Sequence, residues 1–96
     1  MGIRITCINK DNGDHYDPHE GITYLGWINT LNDKYGKSTR SEMVKFVDGG
    51  GHAYVEDANS NKAFLTVRIS SHGNKYVQTI SDGKLSNNLL ELLECK

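Results

Sequence analysis

Hydrophobic and polar residues alternate through Ile3-Arg4-Ile5-Thr6-Cys7-Ile8, a run rich in β-branched side chains. A period of two places Ile3, Ile5 and Cys7 on one face, so the pattern predicts a strand with those three inward. Polar residues follow from Lys10 to Glu20, where Asn12-Gly13 and Pro18 punctuate the chain. Apolar and aromatic residues return at Ile22, Tyr24, Leu25, Trp27 and Ile28. They predict a second strand, with a short helix as the alternative. Gly26 in its middle marks a bulge, a bend or a close backbone approach. Asn29 to Lys37 is polar and reads as a loop or turn around Tyr35-Gly36.

The helix signal comes next. Thr39 has the chemistry of an N-cap, and Glu42 stands three residues on, the spacing of a capping box. Met43, Phe46 and Val47 repeat at i, i+3 and i+4 with Val44 beside them, which gives a short apolar stripe. Gly49-Gly50-Gly51 ends it, because glycine enters the left-handed region without a side-chain clash. Three further strands are predicted over Ala53 to Glu56, Ala63 to Ile69 and Tyr76 to Ile80. Their turns are Asn59-Ser60-Asn61 and Ser71-His72-Gly73-Asn74, and such short links favour antiparallel neighbours. In the middle strand Ala63, Leu65, Val67 and Ile69 share a face. Asp82-Gly83 closes the meander. Leu89, Leu90, Leu92 and Leu93 predict a short terminal helix or helical turn that seals one edge of the core, with Ser86 or Asn87 as its cap.

The expected fold is therefore α+β: a small, mostly antiparallel sheet with one main helix and a short C-terminal helix. A chain of 96 residues suits one compact domain over 1–96 and a small core. Eleven Lys and Arg against twelve Asp and Glu leave a formal charge of -1, so a general polyanion-binding surface is not implied. No run reaches the ~18 apolar residues of a membrane helix, and the first nine residues do not form a secretory signal pattern. The expected location is the cytoplasm. The two cysteines, Cys7 and Cys95, could close a very long loop. A single pair without a secretion signal instead predicts two reduced thiols, with Cys7 buried in the first strand.

Candidate chemistry is sparse. His15-Tyr16-Asp17-Pro18-His19-Glu20 holds two imidazoles and two carboxylates within six residues. His15 and His19 are the candidate metal ligands, and His15, Asp17, His19 and Glu20 the candidate acid–base set. Pro18 argues against a helix that would align the two imidazoles. The bland reading is a polar loop bonded to its own backbone. Gly36-Lys37-Ser38-Thr39 resembles the end of a phosphate loop, but Leu31 stands where the earlier glycine is required. Helix capping accounts for Ser38, Thr39 and Glu42, while Lys37 and Arg40 leave room for an anion at the helix start. Tyr24, Tyr54, Phe64 and Tyr76, with Arg68, Lys62, Lys75 and Lys84, could form a stacking surface for single-stranded nucleic acid. Core filling is the simpler use of those aromatics.

The ordered set His15 to Glu20, Leu25-Gly26-Trp27, Gly36-Lys37-Ser38 and Glu42-Met43-Val44 resembles the family catalogued as domain of unknown function 3892. Gly50, Ala53-Tyr54-Val55, Lys75 to Thr79, Asp82-Gly83 and Asn88-Leu89-Leu90 belong to the same resemblance, which spans nearly the whole chain. Gly21 departs from it where a small alanine is usual, and Gln78 where a basic residue is frequent. The family brings no activity with it. The resemblance implies a small one-domain protein and makes His15 to Glu20 the first segment to test.

The leading expectation is a non-enzymatic binding or adaptor protein, acting without a cofactor on a partner that the sequence does not identify, a protein among the possibilities. Its contact face would combine His15, Tyr16, Asp17, His19, Trp27, Lys37 and Arg40, with the large aromatic as anchor. The alternatives are a small metal-dependent or acid–base enzyme built on His15 to Glu20 and a weak nucleic-acid binder using the sheet.

Overall fold

A computed structural model describes residues 2–11, 18–57, 59–81, 83–86 and 88–95. Its strands are β1 (Gly2–Lys10), β2 (Ile22–Asn29), β3 (Tyr35–Thr39), β4 (His52–Glu56), β5 (Lys62–Ile69), β6 (Lys75–Ser81) and β7 (Lys84–Ser86). One helix, α1 (Arg40–Asp48), links β3 to β4, and 3-10 turns occupy Pro18–Gly21 and Asn88–Glu91. The sheet order is β3-β2-β1-β4-β5-β6-β7. Two antiparallel meanders thus lie side by side, joined by a parallel pairing of β1 with β4 over Gly2 to Arg4. The helix carries the chain from the β3 edge to the sheet centre and packs on β2 and β3 as well as β4, β5 and β6. The α+β expectation holds, with the sheet dominating and a 3-10 turn in place of the terminal helix. The expected polar loop before α1 is in part the edge strand β3.

Local chemistry sets the ends of α1. Thr39 is extended at φ -70° and ψ 163°, the Glu42 N–H donates to its Oγ1 at 3.1 Å, and the Thr39 N–H donates to Glu42 Oε1 at 2.9 Å. This reciprocal pair satisfies two donors at the helix start, as a capping box requires. At the other end Gly50 has φ +98°. The Gly50 N–H donates to Val47 O and the Gly51 N–H to Phe46 O, the bond pattern of a Schellman cap.

The inward set of β1 differs from a strict alternation. Ile5 pairs with Trp27, but Cys7 pairs with Gly26, so Thr6 is an extra residue on β1. Such a bulge shifts the alternation by one. Ile3, Ile5 and Ile8 are therefore buried, and Cys7 is only half-buried. They join Ile22, Leu25, Met43, Val44, Val55, Leu65, Val77 and Leu89 in the core. Four consecutive residues of β6 are buried, Val77 and Thr79 on one face and Tyr76 and Gln78 on the other. Coverage comes from α1 and both 3-10 turns, which pack against this strand.

The expectation of two free thiols is overturned. Cys7 and Cys95 form a disulfide across a sequence separation of 88 residues. Beyond Arg4 the β4-side edge of β1 is taken by the C-terminal segment. The Ile8 N–H donates to Leu93 O and the Cys95 N–H to Ile8 O, both at 3.1 Å. Asn9 Nδ2 adds a bond to Cys95 O at 3.1 Å. The bond lies against Gly26, where a Cβ would fall 2.3 Å from Cys7 Sγ. The glycine in β2 thus both faces the bulge and permits the close approach. With the thiols oxidised, cysteine usage no longer argues for a reducing compartment.

Candidate functional site

His15, Tyr16 and Asp17 lie outside the described residues. The rest of their segment turns inward. His19 is 2% exposed, and its ring stacks on Tyr76 with centroids 6.2 Å apart. Glu20 is also buried, and its backbone oxygen accepts a hydrogen bond from the Arg40 guanidinium. The sequence marks these residues for surface chemistry, whereas the fold uses His19 as an interior ring and Glu20 as an anchor for Arg40. Among the described residues no group of three or more His, Cys, Asp or Glu could hold a metal ion.

Gly36-Lys37-Ser38-Thr39 is part of an edge strand paired with β2, not a loop wrapped around an anion. Lys37 Nζ sits 5.3 Å from the Tyr24 ring centroid on the neighbouring strand. An open polar cleft of about 450 Å³ lies beside the helix start, where Asp11, Glu20, Tyr24, Thr39 and Arg40 contribute to its walls. Its charges are mixed in sign. A second open groove of about 450 Å³ runs over the disulfide, bordered by Thr6, Gly26, Tyr35 and Lys37.

A less open concavity lies elsewhere. Trp27 lies half-buried where β2 and β3 meet α1, and a pocket of about 240 Å³ opens beside it. Its apolar walls are Ile3, Trp27, Met43 and Phe46, and its polar groups belong to Asn29, Ser38 and Glu42. Two glycines seat the aromatic walls. A Cβ on Gly36 would fall 2.8 Å from Trp27 Cζ2, and one on Gly51 would fall 2.5 Å from Phe46 Cζ. Each ring thus lies on a backbone that no larger residue would leave room for. Trp27 Nε1 donates to Ser38 Oγ at 3.0 Å, which fixes the indole in its plane. Asn29 Oδ1 accepts the Leu31 N–H at 3.0 Å and holds the end of β2. Glu42 stands at the rim, tied by its cap to Thr39. The Thr39 backbone N–H and then its side chain, with help from Lys45, hold the Glu42 carboxyl below the ordinary range. An accepted hydrogen bond favours the charged form.

Of the residues expected at a contact face, the structure brings only Trp27 to this pocket. Lys37 belongs to the outer groove and Arg40 to the polar cleft. The partners of Trp27 were hidden in other signals: Met43 and Phe46 in the helix stripe, Glu42 in the cap, Ser38 in the Gly36-to-Thr39 run attributed to helix capping. Phe46 is 37% exposed although it falls on the apolar face, and that incomplete burial opens the pocket mouth.

The aromatics expected to stack nucleic-acid bases do not form one platform. Tyr54 and Tyr76 are buried, while Tyr24 on β2 and Phe64 on β5 are separated by β1 and β4. Phe64 packs on Tyr54 with centroids 5.8 Å apart, and Lys62 Nζ lies 4.8 Å from the Tyr54 centroid. Lys75 pairs with Asp48 at 3.5 Å. Among the described residues no helix is long and apolar enough to cross a membrane.

These features define a small sheet-rich α+β domain that presents concave surfaces around one helix. Residues 4–93 match the family model described as protein of unknown function, DUF3892, and the chain belongs to that family. No curated protein and no solved structure matches it.

Proposed function

We propose that this domain is a non-enzymatic binding protein and that the Trp27 pocket receives its ligand. The observation that carries this reading is the pocket's construction: four apolar side chains form the walls, and polar groups occur at few points around them. Ligand sites combine apolar walls with a few placed polar groups in this manner. At about 240 Å³ the pocket has room for about eight water-sized groups, so its ligand is small, or is one side chain of a larger partner. Among the described lining residues the Ser38 hydroxyl is bonded by the Trp27 indole and the Glu42 carboxylate by Thr39, and the reading needs no cofactor. The alternative of acid–base or metal chemistry through His15, Asp17, His19 and Glu20 is disfavoured by the burial of His19 against Tyr76.

A neutral probe tests the reading. Titration of 2-phenylethanol into labelled protein is expected to give saturable amide shifts confined to Trp27, Asn29, Ser38 and Met43, with the Trp27 indole N–H moving most. Affinity on the order of millimolar suits a ligand of that size. Shifts that never saturate, or that gather on another face, would overturn it.

A further inference from the structure

We infer that the Trp27 pocket selects a small organic ammonium: an aryl or alkyl body with one cationic head. This rests on the reading of the pocket as a ligand site and names the class of ligand. Glu42 is the one charged residue among the described residues that line the pocket. Its carboxylate is fixed in place, because Oε1 accepts the Thr39 N–H at 2.9 Å while the Glu42 N–H donates to Thr39 Oγ1. Helix capping engages the carboxylate through the Thr39 N–H on Oε1 and, secondarily, through the Thr39 side chain. A carboxylate has two oxygens and about four acceptor sites, so capping leaves capacity for a ligand donor.

The surrounding walls favour the same ligand class. Trp27 and Phe46 are aromatic, and a cation near an aromatic face is attracted by its quadrupole. A carboxylate head would meet Glu42 as a like charge at the rim. A neutral hydroxyl would accept the apolar walls but gain no ion pair. Lys45 is close enough in charge to influence Glu42, yet it does not line the pocket. The Asp48 carboxylate, near the far end of α1, is paired with Lys75. The pocket therefore presents one anionic point beside an apolar body-sized space.

The test compares 2-phenylethylamine, 2-phenylethanol and phenylacetate, three probes with the same aromatic body. Binding is read by fluorescence of the single tryptophan and by amide shifts at Ser38 and Met43. The amine is expected to bind about two- to five-fold more tightly than the alcohol, within the range of an exposed ion pair, and phenylacetate most weakly. Raising the salt concentration should narrow the gap. Glu42→Gln keeps an oxygen that can cap Thr39 and should abolish the amine's advantage over the alcohol. Equal binding of the three probes to the native protein would overturn the ammonium selectivity and leave the pocket reading intact, as would an advantage that survives Glu42→Gln. Absence of localised binding by all three would overturn both. The comparison of probes on the native protein needs no variant to fold.

Discussion

Replacing Cys7 and Cys95 together by serine tests the largest long-range constraint in this small domain. The bond spans 88 residues, nearly the full chain. The chain-entropy relation for a closed loop of that size gives about 15 cal/mol/K, or about 4.6 kcal/mol at 25 °C. Domains of this length have total stabilities of about 5–15 kcal/mol, so the loss is between a third and nearly all of it. Serine keeps the volume close to that of cysteine and avoids free thiols. The C-terminal segment would still have its hydrogen bonds to Ile8 and Asn9, but it would have to close that long loop for them. Urea unfolding followed by Trp27 fluorescence measures the effect. With a slope of about 1–3 kcal/mol/M, the midpoint should fall by about 1.5–4.5 M. Hydrogen exchange at the Ile8 and Cys95 amides should accelerate before the rest of β1 loosens. A loss below about 1 kcal/mol at unchanged slope would refute the reasoning, as would a mass measurement finding two thiols in the native protein under non-reducing conditions.

Thr39→Ala removes the side-chain acceptor of the cap and should cost about 1 kcal/mol in thermal or urea unfolding; unchanged stability would mean that the cap does not secure α1. Gly36→Ala puts a Cβ 2.8 Å from the indole, so it should destabilise by about 1–3 kcal/mol, shift the Trp27 emission and weaken 2-phenylethanol binding. An unchanged emission spectrum would contradict that placement. Because Glu42 and Asp57 have carboxyl groups held below their ordinary values by hydrogen bonds from Thr39 and Asn61, their stabilisation is present above the unfolded values. It is lost as pH falls through the lowered folded ones. Carbon-13 titration of both carboxyls should give midpoints below those of model peptides, and midpoints at or above them would refute the assignment. Leu89→Ala empties a fully buried position and should cost about 2–5 kcal/mol, read from thermal unfolding; a cost of about 0.5 kcal/mol or less, the range of surface substitutions, would place Leu89 outside the core.

Features set by neighbours in sequence were legible before the fold was known. The Thr39–Glu42 cap and the glycine stop after α1 depend on a few adjacent residues, and both form as the spacing predicts. The antiparallel run from β4 to β6 follows from short turns between alternating segments. Features set by remote partners were not legible. Nothing in Ile3 to Ile8 announces that Thr6 is an extra residue, because the bulge is defined by its pairing with Trp27 and Gly26. β3 lacks an apolar alternation because it lies at the sheet edge and gives the Trp27 ring Gly36 to lie on and Ser38 to bond. The disulfide depends on the C-terminal segment returning to β1. At the candidate site the sequence singled out Trp27, but its pocket draws on β1, β2, β3 and α1. Only the sheet order brings those four elements together. His19 illustrates the converse: a residue type suited to chemistry is taken into the interior by an aromatic partner far along the chain.

The most direct measurement of the pocket claim is a set of intermolecular nuclear Overhauser contacts between 2-phenylethanol and protein at saturation. The account predicts contacts from the probe ring to the Met43 methyl, the Trp27 indole and the Phe46 ring. Contacts confined to Tyr35 and Ile28 over the disulfide groove, or to Tyr24 at the polar cleft, would contradict it.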